Sequence, residues 1–448
     1  MPRTPNTRLA LLLEAAGWSP ARLAAEIRKV AAEQGLTLTI HPTTARRWLD
    51  GTHPRPPVSG LLLECLSRRL GRRITAYDAG LTRAPAVVVD PAWEADPMRK
   101  LTQLAQAETD PHRRALLSAG VFTATALALP DHAENRKPSG LLASPRGVGR
   151  RAGHHDITQL RAMTTVFAAA DQHGGRHIRS ALAAYLAHEA TPLLHRPADT
   201  DVHGGLLSVT AQLALLLGSM YADSGHHATA RQYHQIAARL AADADDRTTL
   251  AIALRTMATH AHDLGHHTPA VLRLAEQADR YAHRAPPAVR AYTRIHLAVL
   301  NAHHDRHAAV AALTGAETLY ARTPAEPGPF SSYPAGALHY QRAQALATLG
   351  DHAAALTALT TSLRLRTPTE HLPAALTRAR LAETHLRLGH LEPALTHWNV
   401  FVDTYPTLQS TRADTCLTGA VQCLRPHERS AEVAELLRRI GEFTGTLR

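Results

Sequence analysis

Five stretches of this chain echo one another at intervals of about forty residues, and that periodicity limits the fold more than any other feature. Asp223-Ser224-Gly225-His226-His227-Ala228-Thr229-Ala230 is followed by Asp263-Leu264-Gly265-His266-His267-Thr268-Pro269-Ala270. Asp305-Arg306-His307-Ala308-Ala309-Val310 comes next, then Leu349-Gly350-Asp351-His352-Ala353-Ala354-Ala355-Leu356 and Leu388-Gly389-His390-Leu391-Glu392-Pro393-Ala394-Leu395. A weaker turn falls near Pro426, and an early one at Gly174-Gly175. Apolar stripes flank each turn. Leu250, Leu254, Met257, Ala258, Ala261 and Leu264 stand at i, i+4, i+7, i+8, i+11 and i+14, one face of a helix. Each unit is therefore a helical hairpin whose apolar faces need neighbours, and several hairpins must stack into an α-solenoid over 155–448. Hydrophobic residues make up 45% but aromatics only 4%, which favours Ala/Leu-rich helices over sheets and predicts an all-α chain.

The first eighty residues follow a different plan. Leu9, Leu12, Leu13 and Ala16 predict an amphipathic helix stopped at Gly17. Ser19 as N-cap and Pro20 at the first helical position start a second, with Leu23, Ala24, Ile27, Val30 and Ala31 inward and Gly35 at its end. Leu36 to Ile40 alternates apolar and polar, an extended piece. Thr43 to Gly51 then reads as one short helix, threonine at its start and glycine at its stop. Ala45, Trp48 and Leu49 share its inner face, leaving Thr43, Thr44, Arg46 and Arg47 outside. A proline-stiffened loop through Arg55 leads to a fourth helix on Leu61, Leu62, Cys65, Leu66 and Leu70. Thr75 and Asp78 form a capping-box pattern for a small fifth helix. A short exposed helix bearing paired arginines is suited to a DNA major groove.

Charge agrees. Of the net +11, residues 1–83 carry 13 Lys/Arg against 6 Asp/Glu, whereas the 294 residues after 154 carry 27 against 25. A polyanion partner for the N-terminal part is implied, a solvated basic surface being the other reading. Cys65, Cys416 and Cys423 lack metal-ligand spacing and leave an odd one over, which fits a reducing compartment. The sequence suggests no secretion signal and no uncharged run long enough to span a bilayer. Arg113-Arg114 with the apolar run to Leu129 mimics a twin-arginine export signal but stands too deep in the chain, and is expected to be a buried or docking helix. Pro85 to Asp96 reads as loop, 97–129 as connecting helices, and 131–153 as a Gly/Pro/Ser-rich linker.

Ser19, Leu23-Ala24, the run Thr43 to Gly51, the proline loop and Leu61, Leu66 and Leu70-Gly71 together resemble the Xre/Cro-type helix-turn-helix domain over roughly 6–81. The connection between the second and third helices is longer than that family's usual tight turn. Leu349-Gly350-Asp351 with Ala355-Leu356, and Pro368 beyond, resemble a tetratricopeptide repeat, although the period exceeds that repeat's 34 residues. The pairing of the two, with Gly17-Trp18-Ser19 and Pro54-Arg55-Pro56-Pro57, is similar to a group of regulators from high-GC bacteria. The resemblance implies three parts: a helix-turn-helix DNA-binding domain in 1–83, connecting helices and a flexible linker in 84–154, and a tetratricopeptide-like regulatory and oligomerisation domain in 155–448.

Arginine can donate twice to guanine O6 and N7, and threonine can meet the thymine methyl, so Thr43, Thr44, Arg46 and Arg47 are the candidate base-reading residues. Ser19 at a helix N-terminus, Arg22 and Arg55 are candidate phosphate contacts, with Arg8 and the arginines of 68–73 behind them. Thirty histidines raise a metal reading, and His303 with His307 are four apart. No Glu follows in the metalloprotease pattern and no Cys or carboxylate completes a set, so no metal ligand and no cofactor is assigned. Phosphate-loop, GxGxxG and GxSxG patterns are absent from the sequence, and the expectation is a non-enzyme. The function these readings imply is a cytoplasmic transcriptional regulator that binds double-stranded DNA as a homodimer, its repeats also taking a peptide or protein effector. The alternative is a protein-interaction scaffold whose N-terminal domain does not read DNA.

Overall fold

A computed structural model describes residues 5–33, 38–55, 57–70, 74, 78–81, 96–109, 151–171, 178–321, 333–408 and 410–444. It is all-helical, with no strand among the described residues. The first four helices are α1 (Thr7–Ala16), α2 (Pro20–Glu33), α3 (Pro42–Leu49) and α4 (Val58–Leu70). They enclose one small core in which every apolar residue expected inward on α1 and α2 is buried, from Leu9 to Ala31. Gly17, in the left-handed conformation at φ 66°, ends α1 as expected. The Asn6 side chain accepts from the Leu9 N–H at 3.0 Å and donates to the Ala79 carbonyl at 2.9 Å, which ties both ends of this unit together. Leu38 to Ile40, the described part of the extended piece, and His41 run outside any helix and have no ladder partner among the described residues. Asp78–Gly80, the described part of the expected fifth helix, is a turn. Thr75, Arg72, Arg73, Arg113-Arg114, Gly174-Gly175 and most of the expected linker lie outside the described residues.

Helix α5 (Pro97–Thr109) is more than a connector. Its Met98, Leu101 and Leu104 are buried in the same core as Leu182, Leu186 and Leu206 of the C-terminal body. The body itself begins with α6 (His154–Ala170) and with α7 (Arg179–Tyr185), which continues through a π-helical turn, Leu186–Ala190, and a last α-turn, Thr191–Leu194.

Six helical hairpins follow: α8 (Thr200–Asp223) with α9 (His227–Asp243), α10 (Arg247–Asp263) with α11 (Pro269–Tyr281), α12 (Pro287–Asn301) with α13 (Arg306–Tyr320), α14 (Ala335–Thr348) with α15 (His352–Arg364), α16 (His371–Arg387) with α17 (Leu391–Thr404), and α18 (Thr411–Leu424) with α19 (Ala431–Thr444). Their turns fall where the sequence repeats. Gly225, Gly265, Gly350 and Gly389 hold φ between 78° and 86°, a conformation that a Cβ disfavours. In the third and fourth turns an aspartate caps the following helix. Asp351 accepts from the Ala354 N–H at 3.0 Å, and Asp305 from those of His307 and Ala308. Within each pair the helices pack face to face, and α8, α10, α12 and α14 also touch in succession.

Helix α8 corrects one expectation. Over 24 residues it is long and apolar enough to cross a bilayer. Its apolar residues are instead packed on α6, α7, α9 and α10, and 72% of its most apolar window is buried inside the protein.

The last hairpin meets the first. Asp223, at the end of α8, accepts from the Ser410 hydroxyl at 2.6 Å and from Arg412 Nε at 2.9 Å, while the Thr411 hydroxyl donates to its carbonyl at 2.8 Å. Asp171 lies beside this group, and burial together with the Asp223 carboxylate pushes its carboxyl up to about 7. Asp223→Ala removes the acceptor for a hydroxyl and a guanidinium. The expected loss is about 1–3 kcal/mol, measured by chemical denaturation and by faster amide exchange in α18 and α19.

Candidate nucleic-acid interface

Helix α3 starts one residue before the expected position. Pro42 occupies the first helical turn and His41 the cap position, without a side-chain cap. Proline's fixed φ and missing N–H suit that place, so Thr43 and Thr44 become first-turn residues rather than the cap. Ala45 is fully buried and Trp48 nearly so at 4% exposure, with Leu49 packed beside them. Gly51, at φ 94°, ends the helix, with the Thr52 N–H on the Arg47 carbonyl at 3.0 Å. The Asn6 N–H donates to the Leu49 carbonyl at 2.7 Å, fixing the C-terminal end of α3 against the start of α1.

The outer side is as the spacing predicts. Thr43, Arg46 and Arg47 are exposed and Thr44 half-buried. Neither arginine has an ion-pair partner among the described residues, so both guanidinium groups face solvent. Arg55 is also exposed, in the loop after the buried Pro54.

The phosphate candidates divide. The Ser19 hydroxyl accepts from the Arg22 N–H at 3.2 Å and is thus the α2 cap, as expected. Arg22 pairs with Glu26 at 2.7 Å across one helical turn, and it stays largely exposed, so the pair is weak. Arg22, Lys29, Arg68 and Arg69 converge on a groove of about 570 Å³ between α2 and α4, floored by Trp18, Val30 and Cys65. Arg69 Nε donates to the Ala16 carbonyl at 3.0 Å, and Arg68 pairs with the buried Glu64 at 2.8 Å. No residue of α3 lines this groove. The charged candidates therefore form two sets, one on the α3 face and one in the α2–α4 groove. Cys65 is inert there, burial pushing its thiol up to about 12.

The histidines are arranged differently from the i, i+4 pair that the sequence suggests. His307 stands in the first turn of α13, whereas His303 lies in the turn after α12, so the two do not share a helix face. The stack instead brings histidines of successive turns together. Rings of His227 and His260 meet at 3.1 Å between nitrogens, and His262, His267 and His303 cluster, while within one hairpin His385 stacks on His397. Pairs of histidines recurring at turn after turn were the visible sign of this.

No curated protein matches the chain. Residues 9–82, which span almost all of the unit built by α1 to α4, are similar to the SP15 N-terminal domain.

Proposed function

We propose that this protein is a sequence-specific DNA-binding transcriptional regulator, with α3 as its reading helix and the hairpin stack as a tetratricopeptide-like solenoid for self-association and effector binding. The observation that carries the reading is the pair Arg46 and Arg47. They stand side by side on the outer face of a helix whose other face is anchored by Ala45 and Trp48, and no carboxylate among the described residues competes for them. Charge supports it, since the basic excess lies in the same unit. So does the sequence resemblance to Xre/Cro-type helix-turn-helix domains. A single unit of this size contacts few base pairs, and two copies on two half-sites give the specificity a regulator needs. Cytoplasmic residence belongs to the same proposal, as does a peptide or protein effector for the stack.

Sequencing of genomic fragments retained by the purified full-length protein tests this directly, and a shared sequence among them is the expected result. Arg47→Ala is expected to remove about 1–3 kcal/mol of base discrimination, read as a flattened preference in competition binding. Substituting Arg55, a phosphate candidate, is expected to weaken all sequences alike and to lower the slope of log affinity against log salt by about 1. Wild-type protein that retains no DNA at low salt sinks the proposal and favours the scaffold.

A further inference from the structure

The stack places three imidazoles of two neighbouring turns in one cluster at the protein surface. His262 closes α10, His267 lies in the loop between α10 and α11, and His303 lies in the turn between α12 and α13. One ring nitrogen of each lies within 4.8 Å of the others. His262 Nε2 and His303 Nε2 are 3.3 Å apart, and the His267 and His303 rings stack with centroids 3.8 Å apart. Two nitrogens bound to one tetrahedral zinc at 2.0–2.1 Å are separated by about 3.3–3.4 Å, which the His262–His303 pair already satisfies. His267 is exposed, and one of its ring nitrogens already lies within 4.8 Å of the other two ligand atoms.

One surrounding feature also suits a cation. His262 turns its other nitrogen, Nδ1, toward the Asp263 carboxylate at 3.5 Å, the outer carboxylate that orients histidine ligands and raises their basicity.

We infer that His262, His267 and His303 form a surface site for a divalent transition metal of zinc type, with Asp263 orienting His262 and the fourth position open to water. The site pins the second hairpin to the third. It also borders the N-terminal unit, because His266, next to His267, lies within electrostatic reach of Arg68 and Glu64 on α4.

Zinc chloride titrated into the full-length protein against a chromogenic chelator tests the site. One Zn²⁺ per chain is expected to outcompete the weak binding of scattered surface histidines. His303→Ala and His267→Ala are each expected to weaken that ion at least about 100-fold, and Asp263→Asn about 10-fold. His307→Ala, an exposed histidine in the first turn of α13, is expected to leave it unchanged. Cobalt loading should give the visible absorption of a tetrahedral, nitrogen-ligated ion, lost in the same variants. Circular dichroism guards against misfolding, which is not expected at His267 and His303 because both are exposed. A triple His262/His267/His303 alanine variant that stays folded and binds zinc with the wild-type stoichiometry and affinity overturns the inference. So does a wild-type chain that binds no zinc more tightly than that variant. Neither result depends on whether the protein binds DNA.

Discussion

Trp48→Ala is expected to unfold the N-terminal unit at or near physiological temperature while leaving the hairpin stack folded. Trp48 is buried in the small core that α1 to α4 enclose, with Ala45, Leu12 and Ile40 among its companions there. Removing a buried tryptophan costs about 3–5 kcal/mol, whereas a domain of about 75 residues has only roughly 4–11 kcal/mol in total. Thermal unfolding of the full-length protein should show an early transition moved down strongly and a later one in place. Any DNA binding should vanish with the early transition, since Thr43, Thr44, Arg46 and Arg47 are held by the same anchor. Trp48→Phe keeps most of the apolar volume and should recover much of both. A variant in which stability is unchanged would show that α3 is not anchored through this ring.

The second large effect concerns acid. His234 on α9 is fully buried, neither ring nitrogen has a hydrogen-bond partner among the described residues, and desolvation alone holds it down to about 4. Its ring packs edge-on against His260, which burial and the neighbouring His234, His227 and Arg231 push lower still. Below pH 6.5 the unfolded chain takes up protons that the folded chain refuses, so stability falls as pH drops from 6.5 toward 4. For His234 alone the depression from 6.5 to about 4 corresponds to roughly 3 kcal/mol. Denaturation midpoints measured at pH 7, 6 and 5 should fall steeply. His234→Leu should flatten that fall and cost little at pH 7, because it removes two unpaired buried nitrogens. An unchanged pH slope in this variant would place the acid sensitivity elsewhere.

Much of this architecture was legible in the sequence because helices advertise themselves by period. Leu9 through Ala31 and Ala45 with Trp48 are buried where the 3.6-residue spacing put them, and the hairpin turns sit on the repeated Gly and Asp residues. Local chemistry misled by one residue at α3, where Pro42 outcompeted Thr43 for the helix start. In the sequence α5 reads as a connector, because Met98, Leu101 and Leu104 form a stripe too short to reveal that it inserts into the core. Long-range contacts left no trace at all. Nothing in Asp223 or Ser410, 187 positions apart, announces that they bond. The histidine cluster is of the same kind: its members come from two turns, and only stacking brings them within reach.

The contact between Asp223 and the Ser410–Arg412 segment has a consequence for how this protein can vary. An open row of repeats can gain or lose a unit at either end, since each unit answers only to its neighbours. Here the last hairpin is also bonded back to the first through Asp223. A hairpin deleted or duplicated between α10 and α17 is expected to carry Ser410 and Arg412 away from Asp223 and to cost those bonds. The two end hairpins therefore answer to each other as well as to their neighbours.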